Sequence, residues 1–404
     1  MARPTSASEP GFDGWLRTTR HEHLALLSFI TLLVIGGVGA IYTPLLGLAR
    51  LPSGTVLDAI DHSRARFLHA VLMVFVVVIP SIPSTFGQLL LPKLIGASGF
   101  AFPRVERAAL RLFWVGACLV LFGALGLSTE VRWSFLDAYS SASEPLLLVV
   151  MLGLLLVSLA GTLRGVDTIV TIHKLRRQGL ELRELPVFAW ASYAVAIIGV
   201  VTPAPLLAAL VLAALERWLG LGLFDPSHGG DPVLFQHFFW SFAHPAMFGS
   251  LLAALGIAGE ILAVRAGRPG DRAVGPAFIV LAVLSFTQWG IHLVDAGASE
   301  LSSVVSSSLS LLSLVPVVWL LRRYVGSLAQ SEGPPRSARL FALSMLVHLA
   351  IWLTASGAMA MLGLSPLLRG GAFEGAHLHF GLAGVTLTAF LGGLVQWWPM
   401  LTGR

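Results

Sequence analysis

An all-α bundle of about ten membrane-spanning helices is the fold class this sequence predicts, and three observations carry that expectation. Hydrophobic residues fill 56% of the 404 positions and charged residues only 12%, whereas a water-facing globular surface carries about 25% charge. Apolar runs of roughly the 20 residues needed to cross a bilayer recur from end to end. Between them, basic residues crowd alternate loops, as they do when a chain threads back and forth through a membrane. This composition excludes a soluble enzyme and a disordered scaffold.

The elements follow in order. Residues 1–22 read as a polar cytoplasmic tail carrying Arg3, Arg17 and Arg20, without the apolar core and cleavage site of a signal peptide. Residues 23–404 read as one transmembrane domain with helices over 23–47, 67–95, 108–130, 144–163, 187–215, 234–264, 273–296, 300–322, 338–362 and 375–401. Arg104 and Arg107 follow the second run, and Lys174, Arg176, Arg177 and Arg183 follow the fourth. Arg265, Arg268 and Arg272 follow the sixth, and Arg322, Arg323, Arg336 and Arg339 the eighth. The intervening loops are poorer, with Arg132 after the third run and Arg217 after the fifth; Arg50, Arg64 and Arg66 in the first loop break the alternation. Both termini are therefore expected in the cytoplasm, and the membrane is expected to be a bacterial inner membrane. The net charge of +5 then belongs to topology, and no nucleic-acid partner is expected. The single cysteine, Cys118, lies in an apolar run and forms no redox or metal motif.

This topology sorts the histidines by depth. His69 opens the second run from the outer side, His244 lies in the outer half of the sixth, and His292 falls near the outer end of the seventh. His377 and His379 open the tenth. A lone histidine in a span is most simply a core residue bonded to a carbonyl. Five from four helices at matched depth read as a ligand cluster, because ionisable groups in a span are costly and mark function. His377 and His379 point about 200° apart on a helix of 3.6 residues per turn, so they cannot share one metal. Each can hold its own. His69 can complete the second axial bond of a haem held by His379, while a centre on His377 keeps an open face for a gas.

Three segments resemble haem–copper oxidase subunit I: HAVLMVFVVVIPSIPSTFGQLLLPKLIGASGFAFPR at 69–104, FDPSHGGDPVLFQHFFWSFAHP at 224–245 and AHLHFGLAGVTLTAFLGGLVQWWPMLTG at 376–403. They occur in that family's order and spacing, and weaker similarity begins near residue 18. The resemblance implies that His69 and His379 bind a low-spin haem and His377 a high-spin haem. It implies that His244 and His292 are two of three ligands to a copper facing that second iron. Trp240 matches an aromatic that lies between metal and haem edge in the family, or is a packed bundle tryptophan.

The departures bear on activity. Where the family carries adjacent histidines, this sequence reads Ile291-His292. The oxygen reducers' His-Pro-Glu-Val-Tyr is His244-Pro245-Ala246-Met247-Phe248 here, and the eighth run has no lysine before Arg322. A histidine–aspartate pair of the family is replaced by Arg369-Gly370, and Arg369 is placed to pair with a haem propionate or to remain a loop cation. Asp295 is placed either as an oxygen ligand or as a cap of the seventh run. Ser302, Ser303, Ser306, Ser310 and Ser313 recur at spacings that serve either close packing or a hydrated path. The family has twelve spans against ten here, so a subunit supplying further spans is an expected partner.

Two functions remain open on these grounds. One is a respiratory oxidoreductase of the membrane, fed by an electron-donor subunit, cytochrome c or quinol, passing electrons through two haems to O2 or NO without efficient proton pumping. The other is a non-catalytic haem protein, such as a conduit, gas sensor or assembly paralogue, with an incomplete copper site. A ten-span transporter without haem leaves the histidine pair unexplained.

Overall fold

Hydrocarbon offers no partner to a backbone N–H or C=O, so a spanning segment closes its hydrogen bonds internally as a helix. The protein, seen as a computed structural model, is described at residues 12–49, 57–128, 145–262, 273–294, 297, 299–327 and 336–403. Among these, ten helices are long and apolar enough to cross a membrane. Spans 1 to 5 are His21–Leu48, Ile60–Ile95, Pro103–Leu125, Leu146–Leu175 and Val187–Leu219. Spans 6 to 10 are Pro232–Ile261, Val274–Leu293, Glu300–Ser327, Ser337–Ala360 and Ala372–Thr402. No strand occurs among the described residues. Each span falls on one of the expected runs, and the chain is an integral membrane protein. Arg3, Arg50, Arg132, Arg265, Arg268, Arg272 and Asp295 lie outside the described residues.

The boundaries depart from hydropathy where polar side chains extend a helix into water. Span 2 begins seven residues early because Asp58 caps it, accepting from the Asp61 N–H at 2.7 Å, and Arg64 donates to the Leu127 carbonyl. His69 therefore lies inside its helix, not at the start. Span 4 has 30 residues, about 45 Å at 1.5 Å per residue, and takes in Lys174, which hydropathy assigns to a loop. The expected tail contains a short helix, Phe12–Leu16, tied to span 3 by Arg111 donating to the Leu16 carbonyl at 3.0 Å.

Span 7 corrects the expectation of a continuous helix. Its α-helix ends at Ser285, and a 3-10 turn, Trp289–Leu293, carries His292. Ser285, Thr287 and Gln288 donate from their side chains to the Ala282 and Leu284 carbonyls. Such local bonds compete with the helical ladder.

Two further irregularities follow candidate ligands. Span 2 is π-helical over Leu72–Val78 and Pro83–Gly87, and span 10 over Phe380–Leu387. Pro80 and Pro83 have no N–H to give to an α ladder, and the Ser81 hydroxyl covers the Val78 carbonyl. π-Helical turns are frequent at functional sites.

Span 6 is the axis of the bundle. Most of it is buried, and it contributes to both principal hydrophobic clusters, one reaching spans 1 to 5 and the other spans 7 to 10 together with spans 1, 2 and 5. Spans 3 and 4 meet backbone to backbone: a Cβ on Gly116 would lie 2.7 Å from the Gly153 carbonyl oxygen, and the reverse contact is equal. Small residues permit this approach, which dispersion rewards in lipid.

A buried polar group ties spans 2, 3 and 4 together. Gln88 donates to Glu106 at 2.8 Å, and the Arg164 guanidinium lies 3.8 Å from the same carboxylate. Asp167 accepts from the Phe102 N–H at 3.0 Å and from the Thr171 hydroxyl at 3.1 Å, fixing the start of span 3. Removing one partner of a buried ion pair costs roughly 3–5 kcal/mol. Glu106→Ala is therefore expected to lower the thermal unfolding midpoint in detergent. Glu106→Gln should lower it less, because its amide oxygen still accepts from Gln88. Equal midpoints for wild type and both variants would refute the structural role of this group.

Candidate metal centre

His69, on span 2, has its Nδ1 3.1 Å from the Gly39 carbonyl and 3.3 Å from the Thr43 hydroxyl, both on span 1. A carbonyl only accepts, so Nδ1 carries the proton and Nε2 keeps its lone pair. His379, on span 10, is held the same way, with Nδ1 2.7 Å from the Gly375 carbonyl one turn back. The two rings lie within 12° of parallel, with centroids 6.4 Å apart. Two imidazoles on opposite sides of one iron have centroids roughly 6 Å apart, given metal–nitrogen bonds of about 2.0 Å. Donor type, tautomer and spacing therefore fit a haem held between two histidines. Carbonyl anchoring of the other ring nitrogen is the usual support of a ligating imidazole.

His377 faces a cavity that it shares with His244, His292, Trp240, Ile291 and Arg369. The His377 Nε2 lies 2.8 Å from the Ser356 hydroxyl, and its ring lies within 16° of the Trp352 plane at 5.6 Å. A hydroxyl both donates and accepts, so Nε2 either accepts from it with its lone pair or, carrying the ring proton, donates to it and leaves the lone pair on Nδ1. Gly381, one turn on, lets span 10 approach span 9: a Cβ there would lie 2.6 Å from Trp352 Nε1.

Across the cavity, His244 Nδ1 and His292 Nε2 face each other at 3.0 Å. Two nitrogens each about 2.0 Å from one metal and subtending about 100° are roughly 3 Å apart, so this pair fits two corners of a metal site. Trp240 lies flat on His292, at 3.8 Å between centroids and 5° between planes, and fixes that ring. His244 Nε2 is buried and has no hydrogen-bond partner among the described residues. Ile291, 7% exposed, occupies the wall beside them and offers no donor. Among the described residues no three His, Cys, Asp or Glu side chains converge on one point. Any metal here relies on a macrocycle or on fewer such donors.

The structure thus sorts the five histidines into a facing pair, His69 and His379, and a cavity trio, His244, His292 and His377. Arg369 lines the same cavity and donates to the Ser365 hydroxyl at 2.6 Å. Phe248 is also in its wall, whereas Ala246 lines a separate cavity among spans 2 to 6. Of the serine stripe, Ser310 and Ser313 reach the main cavity, and Ser313 donates to the Gln288 amide oxygen at 3.1 Å. His237 accepts from Trp289 Nε1, and His348 bonds the Ser344 carbonyl at 2.8 Å within its own helix. Sequence reasoning passes over Trp352, Ser356 and the Glu106–Arg164 group. Trp352 and Ser356 are four residues apart on one face of span 9, a signal that is visible only in retrospect.

The sequence matches the family described as cytochrome c and quinol oxidase polypeptide I over residues 23–404. It is 27% identical over 359 residues to cytochrome c oxidase subunit 1 of Synechocystis sp., covering 87% of this chain and 64% of that protein. It is also 27% identical to the subunit of the same name from Thermostichus vulcanus, covering 83% of this chain and 61% of that one. The chain therefore spans less than two thirds of the length of these relatives. A heme-copper terminal oxidase dimer solved by cryo-electron microscopy aligns with a TM-score of 0.78 at 17% identity, covering 94% of this chain and 71% of that one. At that identity the likeness is one of fold.

The position of Ile291 generates a prediction. Ile291→His places an imidazole in the cavity wall beside His244 and His292, so copper bound per chain after reconstitution should rise. Unchanged copper content, read by atomic absorption, would contradict this placement.

Proposed function

The chain belongs to the cytochrome c and quinol oxidase polypeptide I family, and from that premise we propose that it is a haem-binding respiratory oxidoreductase reducing O2 or NO. The observation that carries this reading is the division of labour at His377-Leu378-His379. One imidazole faces His69 across 6.4 Å, and the other opens on the cavity that holds His244 and His292. Haem between His69 and His379 would supply electron transfer, and haem on His377 beside copper on His244 and His292 would supply reduction of the gas.

The remaining steps belong to the protein. The carbonyls of Gly39 and Gly375 keep the His69 and His379 protons on Nδ1 and thereby aim both Nε2 atoms inward. Trp240 holds the His292 ring in plane. Arg369 supplies a cation at the cavity edge suited to a propionate. Donors of the electrons are expected to be cytochrome c, a quinol or a partner subunit. Both termini are expected on the cytoplasmic side from the loop arginines.

Phe248 has no phenol to give an electron and proton, and Ala246 has no proton to give. These losses weigh against four-electron cleavage of O2 coupled to pumping. Coupling of two NO molecules to N2O and water takes two electrons and two protons and breaks no O–O bond, so it tolerates them better. A second reading, a non-catalytic haem protein, draws support from Ile291 in place of a ligand.

His69→Ala or His379→Ala should abolish the low-spin optical bands and leave a high-spin, CO-reactive signal. His377→Ala should do the reverse. Survival of both signals through all three substitutions would refute the ligand assignment. Purified with its partners, the wild type should carry two haems and consume O2 or NO. Two haems without a distal metal and without turnover would decide for the second reading.

A further inference from the structure

Two imidazoles leave a copper ion short of donors, and the cavity wall contains a group of the right chemistry. From residue 242 to residue 259 span 6 is buried at every position except two, His244 and Met247. Both of these line the histidine cavity. Residues three apart on a helix are neighbours, with Cβ atoms about 5–6 Å apart. The surface that His244 and Met247 keep is therefore a single patch on one face, opening on one space. Methionine is unbranched, with three rotatable bonds and a polarizable sulfur, so its thioether can sweep the space beside the His244 ring. Ile291, which also lines that space, cannot.

We propose that Met247 is the third protein ligand of the distal metal, completing a site of two imidazoles and one thioether with His244 and His292. The proposal rests on the distal-copper reading given under Proposed function. Imidazole–thioether sets are soft and select Cu(I) over harder ions. The site is thereby biased toward the reduced metal and away from a square-planar Cu(II) geometry. Met359 also lines the cavity. It belongs to span 9, does not share a helix face with His244, and is the internal control.

The test uses the full chain purified in detergent, with haem bound, reconstituted anaerobically with Cu(I). X-ray absorption at the copper edge should show one sulfur scatterer at about 2.3 Å, the length of a metal–sulfur bond, together with two nitrogens. Met247→Leu should remove the sulfur scatterer and weaken Cu(I) about tenfold against a competing chelator. Met359→Leu should change neither. The haem spectrum of each variant reports that it folds, and Met247→Gln, which keeps polarity without sulfur, should behave like Met247→Leu. Copper that is lost in His244→Ala but bound equally by wild type and Met247→Leu would overturn the methionine assignment while sparing the distal site. A sulfur signal that persists in Met247→Leu and disappears in Met359→Leu would overturn it in favour of span 9. A wild type that binds no copper would overturn it together with the reading it rests on.

Discussion

In hydrocarbon no water completes a polar group's hydrogen bonds, and this constraint governs the whole molecule. It makes every crossing segment helical, and it also determines what the exceptions look like. Pro80 and Pro83 cannot donate to the ladder, so span 2 widens into π-helical turns and serine hydroxyls cover its carbonyls. Where span 7 stops at Ser285, its last carbonyls are taken by the side chains of Ser285, Thr287 and Gln288. Gln88 donates to Glu106, the Arg164 guanidinium lies against the same carboxylate, and Asp167 takes the Phe102 N–H and the Thr171 hydroxyl.

The same constraint prepares the histidines. For an imidazole N–H in a span, a backbone carbonyl one helical turn away or on the next helix is a ready acceptor. Once Gly39 and Gly375 hold the Nδ1 protons of His69 and His379, both remaining lone pairs lie on Nε2. The hydrogen bond on the far side of each ring thus sets which nitrogen is free to bind a metal. At His244 and His292 two ring nitrogens face each other at 3.0 Å instead. One shared proton, or one cation bound by both, removes the repulsion of two lone pairs at that distance.

The cavity enclosed by spans 6 to 10 differs from a fully equipped reductase centre in the direction of softness. Isoleucine, phenylalanine and methionine stand at Ile291, Phe248 and Met247, where nitrogen donors, a phenol or a branched aliphatic are the alternatives. Such a wall would offer a metal fewer and more polarizable donors, and its polar lining includes Ser310, Ser313, Ser356, Arg369 and Glu374.

The spans were legible in the sequence because apolar length and loop charge are local quantities, and each of the ten helices lies on an expected run. The separation of His377 from His379 was equally legible, because helical pitch alone puts them on opposite faces. Local pattern could not reveal that span 7 breaks before His292, since that break depends on side chains capturing carbonyls within the folded turn. Nor could it reveal that Trp352 and Ser356 of span 9 close on His377, or that Glu106 meets Arg164 across two helices. The sequence by itself determined the solvent, the number of crossings and the identity of the imidazoles. Tertiary structure alone decided which of them meet, which nitrogen each presents, and what kind of wall surrounds them, because those depend on distances between helices that no spacing along one chain encodes.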